Sequence, residues 1–251
     1  MKLSMMGFCG ADDSVDPRLL AAISARYGWV EWGVLFRDDK QGQPRFATFG
    51  WVDELNGVNK DRRMRLAGHL CSKYAIDLLK GDTAFVRSMY EDHGFTRFQL
   101  NATAANNVDT SQLGAGGADA LRKVAEELPG CEFIIQANDE TEVLWKPLLA
   151  SSPPENLSFL FDESKGLGVV AASYPAPPPN GVRFGYTGGL GPKNIGVQMS
   201  KMLSAAGDRE IWVDMESSLR TKLEGGDDIF DVYKAMSCIR VAIDMGLKEE
   251  A

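Results

Sequence analysis

The chain has 251 residues, enough for one large domain or two small ones, and its 44% apolar and 25% charged residues are ordinary for a globular protein. A formal net charge of −8 argues against a nucleic-acid coat and against binding to an anionic membrane surface. The sequence holds no apolar run of about 18 residues, so we expect no transmembrane helix.

The cysteines and histidines are too few and too scattered to indicate a metal centre. The four cysteines form no C-x-x-C pair, and the chain has only two histidines. The first residues reach acidic side chains too early for a signal peptide and lack a cleavage-site pattern. No dinucleotide fingerprint is present. We therefore expect reduced thiols, a cytoplasmic protein, and neither a metal nor another cofactor.

Short apolar runs alternate with helical patterns along the chain. The apolar runs predict eight strands, at residues 2–8, 30–36, 65–70, 97–101, 132–137, 157–161, 182–186 and 211–215. The amphipathic patterns predict helices at residues 18–27, 49–55, 73–80, 82–92, 118–128, 140–149, 192–206 and 229–246. Asp16, an acidic cap directly before Pro17, marks the start of the first helix.

Three segments lack a regular pattern and are predicted to be loops. Residues 37–45 form a polar loop after the second strand that is long enough to be functional. Residues 103–117 are rich in glycine and asparagine, and the proline density of residues 163–180 excludes regular structure there. The prolines at residues 175–179 indicate a rigid loop or a partner-binding segment, and the sequence does not decide between these.

This alternation predicts an α/β fold with a parallel sheet. Strands buried on both faces read as continuous apolar runs, as VEWGVLF, EFIIQA and LSFLF do. The count of eight favours a single (β/α)8 TIM-barrel domain over residues 1–251. The alternative is an open doubly wound sheet, but no G-x-G-x-x-G opens a helix after the first strand.

Side chains at the carboxyl ends of the strands are the candidates for chemistry, because the active sites of such barrels lie there. The first six strands and the loop after the second bring a thiol, a cation, an imidazole, amides and a carboxylate to one mouth. These residues are Cys9, Arg45, His69, Gln99, Asn101 and Asp162. His69 also suits a core position, since it lies within an apolar strand.

The last two strands end in loops of small residues that are suited to binding an anion. Gly188 and Gly189 follow strand seven, and Ser217 and Ser218 follow strand eight. Such neighbouring loops can present several backbone N–H groups to one anion, and the helix that follows adds a partial positive charge. A phosphate site after strands seven and eight recurs in barrels. We therefore expect a phosphorylated small-molecule ligand.

Short motifs in the first half of the chain match, in chain order, the motifs of one enzyme family. Residues 7–10 read Gly-Phe-Cys-Gly, where that family has Lys-Ile-Cys-Gly. Residues 33–36 read Gly-Val-Leu-Phe, and residues 43–45 read Gln-Pro-Arg, where the family has Gly-Phe-Val-Phe and then Ser-Pro-Arg. Residues 98–102 read Phe-Gln-Leu-Asn-Ala, against Val-Gln-Leu-His-Gly.

The second half continues the resemblance in the same order. Residues 160–163 read Leu-Phe-Asp-Glu and precede a Gly-Leu-Gly loop, where the family has Leu-Leu-Asp-Ser and Gly-Thr-Gly. Residues 187–195 read Thr-Gly-Gly-Leu-Gly-Pro-Lys-Asn-Ile, close to the family's Ala-Gly-Gly-Leu-x-Pro-x-Asn-Val, which is the most specific of these motifs. Residues 213–220 read Val-Asp-Met-Glu-Ser-Ser-Leu-Arg, against Val-Asp-Val-Ser-Ser-Gly-Val-Glu.

On these motifs the chain resembles the phosphoribosylanthranilate isomerase family of tryptophan biosynthesis. The resemblance implies an Amadori rearrangement of an N-linked ribose 5-phosphate, an aldose–ketose isomerisation. It implies Asp162 as the acid that opens the furanose ring and Cys9 as the base that removes the C2 proton. It further implies Arg45 as the partner of an anionic substrate group, and Gly188, Gly189 and Ser217 as the phosphate cup. The acid needs a raised pKa and the thiolate a lowered one.

The chain departs from the family at five places around the implied site. Gly7 replaces a lysine, Asn101 replaces a histidine, and Glu216 and Ser218 replace a serine and a glycine. Arg220 stands where the family has a glutamate, and we predict that it pairs with Glu216. Two other functions stay open: a lyase-type enzyme for another phosphorylated or carboxylated metabolite, and a catalytically silent barrel that binds a metabolite or partner. A monomer and a homodimer both fit the sequence.

Overall fold

Eight parallel strands close into a barrel in chain order. The computed structural model describes residues 2–112, 114–179, 181–226 and 228–247, so the two ends of the predicted domain, Met1 and residues 248–251, lie outside the described residues. The barrel strands are β1 (Leu3–Cys9), β2 (Val30–Phe36), β3 (Arg65–Leu70), β4 (Arg97–Leu100), β5 (Glu132–Ala137), β6 (Leu157–Phe161), β7 (Arg183–Tyr186) and β8 (Ile211–Met215). The predicted (β/α)8 barrel is confirmed.

Among the described residues, at least one helix follows each barrel strand except β6, and these helices cover the outside of the barrel. They are α1 (Pro17–Arg26), α2 (Phe49–Val58), α3 (Ser72–Leu79), α4 (Ala84–Glu91), α5 (Gly114–Glu127), α6 (Glu142–Ala150), α7 (Ile195–Ala206) and α8 (Val232–Asp244). The start signal of α1 is confirmed, because the Asp16 carboxylate accepts a hydrogen bond from the Arg18 N–H at 2.8 Å. The main hydrophobic core lies between these helices and the outward side chains of the strands.

The structure differs from the predicted elements in several places. The strand β1 includes Cys9, one residue beyond its predicted end. The helix α5 begins at Gly114, inside the predicted loop 103–117, of which Leu113 lies outside the described residues. An antiparallel pair, β9 (Arg220–Lys222) and β10 (Asp228–Phe230), was not predicted, since three-residue strands carry too little periodicity to be recognised. The strand β10 includes residues 229–230 of the helix predicted at residues 229–246, and α8 begins only at Val232.

The loop between β6 and β7 has no helix or strand over residues 163–179, as its prolines predict, and Asn180 lies outside the described residues. Its second half is tied to the flank of the barrel. The Tyr186 hydroxyl donates to the Pro175 carbonyl at 2.6 Å, and Arg209 donates to the Pro178 carbonyl at 2.8 Å. These prolines therefore lie along the barrel wall.

Glycines on three strands make room for large side chains inside the barrel. A β-carbon on residue 33 would lie 2.7 Å from His69 Nε2 on the neighbouring strand. A β-carbon on Gly185 would overlap the Trp212 ring, and one on Gly7 would overlap the Asp214 carboxylate. Because interiors are close-packed, these glycines determine where the imidazole, the indole and the carboxylate lie.

An ion-pair network occupies the lower part of the barrel interior, at the amino-terminal ends of the strands. Arg97 Nη1 binds Glu31 at 2.6 Å and Arg97 Nη2 binds Glu132 at 3.0 Å, and all three side chains are less than 10% exposed. The Arg97 guanidinium also stacks on the Trp212 ring, 4.9 Å from its centroid. Arg183, with a side chain that is 57% exposed, binds the other oxygen of Glu132. This network separates the floor of the barrel from the mouth.

Removing the central cation of this network should destabilise the fold strongly. We expect Arg97→Ala to lower the free energy of unfolding by about 3–5 kcal/mol, because two buried carboxylates lose their partner. Arg183→Ala is the matched control, since it removes a largely exposed cation from the same glutamate and should cost about 1 kcal/mol or less. Urea unfolding of both variants is the measurement, and equal losses would contradict the role given to Arg97.

Candidate active site

The carboxyl ends of the strands surround an open cavity of about 370 Å³. Its walls come from the loops after β2, β4, β6, β7 and β8. Most residues predicted for the site line this cavity, namely Arg45, Gln99, Asn101, Asp162, Gly188, Gly189 and Ser217. In the described part of the chain, Cys9, His69 and Ser218 do not line it.

The loops after β6, β7 and β8 meet at one side of the mouth. A β-carbon on Gly189 would lie 2.7 Å from the Gly168 carbonyl oxygen, and one on Gly168 would lie 3.5 Å from Ser217 Cβ. Gly188 and Gly189 have φ angles of +107° and +60°, which only glycine adopts without strain. Asn194 holds this turn, because its side chain accepts from the Gly191 N–H and donates to the Gly189 carbonyl, both at 2.9 Å.

The backbone of these loops is suited to an anionic ligand. Within the described chain, the N–H groups of Gly188, Gly189 and Ser217 donate to no protein acceptor. All three residues line the cavity, and α7 begins six residues after Gly189. Free N–H groups together with a helix start form the usual environment of a bound phosphate.

Asp162 is held at the end of β6 by several hydrogen bonds. Gln136 Nε2 donates to Asp162 Oδ2 at 2.9 Å, and the Ser164 hydroxyl and backbone N–H donate to Oδ1 at 2.6 and 3.1 Å. Burial nevertheless raises the pKa of Asp162, and the hydrogen bonds from Ser164 oppose this rise. A carboxyl group that is fixed, at the cavity wall and more easily protonated than usual can act as a general acid.

Glu216 forms an ion pair across the mouth with the loop after β2. Arg45 Nη1 binds Glu216 Oε1 at 3.0 Å, and Arg45 Nη2 lies 3.7 Å from Asp228 Oδ2. The prediction that Arg220 pairs with Glu216 is wrong, because Arg220 binds Asp12 at 2.7 Å and Asp228 at 2.9 Å. The positive charge of Arg45 is thus already engaged by protein carboxylates.

The Glu216 side chain points towards the end of β1. Its Cγ lies 3.6 Å from the place that a β-carbon on Gly10 would occupy. Burial raises the pKa of Glu216, and the guanidinium of Arg45 lowers it in opposition. The side chain is 31% exposed and lines the cavity, so it is accessible to a ligand.

Asp214 lies deeper, on β8, in the space that Gly7 leaves open. No cation lies within ion-pair distance of its carboxylate in the described chain. Burial raises the pKa of Asp214 well above its ordinary value, and the carboxylates of Glu31 and Glu216 raise it further. This group therefore keeps its proton at a higher pH than an exposed aspartate.

Cys9 lies behind the cavity wall and has no exposed surface. It packs with Leu35 and Cys71 in a small apolar cluster. Burial raises the pKa of the Cys9 thiol well above its ordinary value, and the carboxylates of Glu216 and Asp214 raise it further. These surroundings are the opposite of what the resemblance requires of a thiolate base.

His69 lies inside the barrel below the mouth, against Gly33. Burial, together with the nearby Arg97, lowers the pKa of His69 to about 3, so the ring is neutral near pH 7. Gln99 and Asn101 line the mouth, and they engage each other through a hydrogen bond of 2.8 Å from Gln99 Nε2 to Asn101 Oδ1.

Ser218 lies on the outer side of the loop after β8. Its side chain packs against Gly191 and lines a separate cavity of about 400 Å³ together with Lys193 and Lys234. The short helical turn Ser217–Leu219 explains this separation, because successive residues of a turn point in different directions. Ser217 and Ser218 therefore serve different surfaces.

The structure adds several mouth residues to the predicted ones. Ser164 could have been recognised from the sequence, because an aspartate in a turn commonly accepts hydrogen bonds from the residue two positions later. Here the Ser164 N–H and hydroxyl both donate to the Asp162 carboxylate. Lys40, Phe46 and Asn106 also line the cavity, but they lie in connections between strands and helices whose course the sequence does not reveal. No group of three or more His, Cys, Asp or Glu is placed to hold a metal ion within the described ranges. The helices described there are also too short or too polar to span a membrane.

No protein-family model and no curated protein matches the sequence. Among solved structures, the chain is similar to N-(5′-phosphoribosyl)anthranilate isomerase from Pyrococcus furiosus, with a TM-score of 0.52, 13% identity, and coverage of 96% of this chain and 98% of that one. A D-psicose 3-epimerase gives a TM-score of 0.54 at 14% identity, covering 96% and 97%. A 3-keto-L-gulonate-6-phosphate decarboxylase from Vibrio cholerae gives 0.50 at 14%, covering 99% and 100%. At these identities the likeness shows a shared TIM-barrel fold, which these enzymes use for different reactions.

The environment of Asp214 predicts a pH-dependent gain in stability when the carboxyl group is removed. A raised folded-state pKa gives stability that is present below the ordinary aspartate pKa and is lost as the pH rises towards the folded value. Asp214→Asn abolishes this loss. The Tm of the variant minus the Tm of wild type should therefore increase between pH 4 and pH 8. An increase of about 2 °C would correspond to about 1 kcal/mol in a chain of this size.

Asp208→Asn is the control for this comparison. Asp208 is exposed, and its ion pair with Lys2 lowers its pKa, so its effect on stability has the opposite sign. The Tm of this variant relative to wild type should not increase with pH. Thermal unfolding followed by circular dichroism at several pH values is sufficient, and parallel curves for the two variants would contradict the assignment.

Proposed function

We propose that this chain is an isomerase that converts a phosphorylated ribosyl-amine to the corresponding ketose by an Amadori rearrangement. The observation that supports it best is the presence of three free backbone N–H groups in the same cavity as Asp162, whose pKa is raised. The resemblance of the sequence motifs to the phosphoribosylanthranilate isomerase family favours this reaction among those that barrels catalyse.

The substrate phosphate would bind to the loops after β7 and β8. Backbone N–H groups bind phosphate locally, so the net charge of −8 does not oppose this. Glu216 does not occupy this position, since its carboxylate is held by Arg45 and its stem lies beside Gly10. The anion site is therefore open to the mouth.

Asp162 would supply the proton that opens the ring. Protonation of the ring oxygen lets the C1–O bond break with its electron pair on oxygen, while the nitrogen lone pair forms a C=N bond. Gln136 and Ser164 orient the carboxyl group, and its burial keeps it protonated at a higher pH than an exposed aspartate. Catalysis then requires a base for the C2 proton.

Asp162→Asn should abolish this reaction while leaving the fold intact. We expect turnover of N-(5′-phosphoribosyl)anthranilate to fall by about 10²–10⁴-fold, the usual contribution of a general acid. Fluorescence assays of substrate consumption measure this directly. Glu163→Gln, at the exposed neighbouring position, is the control and should keep wild-type turnover. Full activity of Asp162→Asn would refute the assignment of the acid.

The phosphate cup can be tested with a pair of matched glycine variants. Gly189→Ala and Gly207→Ala both place an alanine at a positive φ angle, +60° and +59°. Only the first meets an obstacle, since the alanine β-carbon would lie 2.7 Å from the Gly168 carbonyl oxygen. A β-carbon on Gly207 would have no non-neighbouring atom of the described residues within 4 Å. Gly189→Ala should weaken binding of inorganic phosphate at least about tenfold, the equivalent of about 1.4 kcal/mol.

Titration calorimetry with inorganic phosphate measures this effect. Gly207→Ala should bind phosphate like wild type although it loses some stability. Equal weakening in the two variants would mean that the loss reflects general destabilisation and that the anion does not bind at the Gly188–Gly189 turn.

A further inference from the structure

We propose that Glu216, held by Arg45, is the general base that removes the C2 proton in the isomerisation proposed above, and this inference rests on that function. It assigns a catalytic role to the loop after β8, where the sequence departs from the family it resembles. It also replaces the base that the resemblance implies.

The reaction needs a proton acceptor that lines the cavity, and few groups meet this condition. The carboxyl groups at the cavity wall are Asp162, Asp214 and Glu216. Asp162 is used as the acid. Cys9 has no exposed surface and lies behind the wall, so a substrate carbon cannot approach its sulfur without rearrangement of the barrel interior.

Asp214 and Glu216 differ in their surroundings. Asp214 lies against Gly7, only 7% exposed, and has no cation within ion-pair distance in the described chain. Glu216 is 31% exposed and has a guanidinium 3.0 Å from one carboxylate oxygen. An adjacent cation favours the ionised form, which is the form that accepts a proton. Glu216 is thus the accessible carboxylate with a cation beside it, and that cation opposes the rise in pKa that burial causes.

The position of Glu216 also suits the substrate. It directly precedes Ser217, whose N–H belongs to the proposed phosphate cup, so a ribosyl chain anchored there lies beside it. Arg45 is itself fixed, because its backbone N–H donates to Asp12 at 2.6 Å and its other Nη atom lies 3.7 Å from Asp228. Arg45 therefore acts as the positioning residue for the base.

The proposed step balances in protons and electrons. Glu216 takes the C2 proton, the C2–H electron pair forms a C1=C2 bond, and the C=N electron pair returns to nitrogen. The resulting enol-amine accepts a proton at C1 from Glu216. Its O2 proton leaves to solvent, which reprotonates Asp162, and the ketose is formed. No oxidant or reductant is needed.

The test compares kcat and KM for N-(5′-phosphoribosyl)anthranilate in wild type, Glu216→Gln and Cys9→Ser, together with phosphate binding by calorimetry. We expect Glu216→Gln to lower kcat by about 10²–10⁴-fold, with the phosphate Kd within about twofold of wild type. Glu224→Gln, at an exposed position beyond the site, is the matched control. A kcat near wild type for Glu216→Gln, or abolished turnover confined to Cys9→Ser, would overturn the inference.

A pH profile separates a catalytic role from a merely structural one. Glu216 faces Arg45 from the loop after β2, Arg220 from β9, Asp162 after β6, Asp214 on β8, Cys9 on β1 and Cys71 after β3. Arg45→Gln removes the nearest cation, so the acid limb of kcat/KM should move to higher pH, because the base then needs a higher pH to ionise. An unmoved limb would contradict the role of Glu216.

Failure of this inference and failure of the proposed function give different results. If wild type does not turn over the ribosyl-amine phosphate, the proposed function fails, and this inference fails with it. If wild type and Glu216→Gln both turn over the substrate and Asp162→Asn does not, only the assignment of the base fails.

Discussion

The narrow interior of a closed eight-stranded barrel is the constraint on which the rest of this structure depends. Inward side chains of neighbouring strands share little space, so a large group is accommodated only where its neighbour is small. Gly33 leaves room for His69, Gly185 for Trp212, and Gly7 for Asp214. These three pairs of a glycine and a large side chain determine how the interior side chains are layered, and therefore which chemical groups lie at the floor and at the mouth of the barrel.

The same constraint separates two kinds of charged group. At the floor of the barrel, the positive charge of Arg97 neutralises Glu31 and Glu132, so the barrel tolerates two buried carboxylates there. At the mouth, Asp214 has no such partner among the described residues, and Glu216 shares the charge of Arg45. The mouth thus contains carboxyl groups with raised pKa values beside free backbone N–H groups, an arrangement suited to proton transfer on a phosphorylated ligand.

Much of the fold and part of the site follow from local sequence. Each barrel strand is a short apolar run, and all seven residues of β2 are buried, so the alternation with helices was sufficient to predict a parallel barrel. The Gly188–Gly189 turn was predictable because its geometry depends on residues within a few positions, including Asn194. The placement of Asp162 at a strand end followed in the same way. The β9–β10 pair was missed because its three-residue strands have no period to read.

The sequence by itself thus determined the order of the elements and which residues stand at the strand ends, since both depend on local periodicity and turn chemistry. Only the tertiary structure decided which charges pair and which side chains reach the cavity. Arg45 and Glu216 are 171 positions apart, and their contact depends on closure of the barrel and on the direction of two loops. Cys9 stands at a strand end and yet lies behind the cavity wall. The alternation of side chains along a strand predicts which residues face the interior of the barrel, but it does not predict how deep in the interior each one lies.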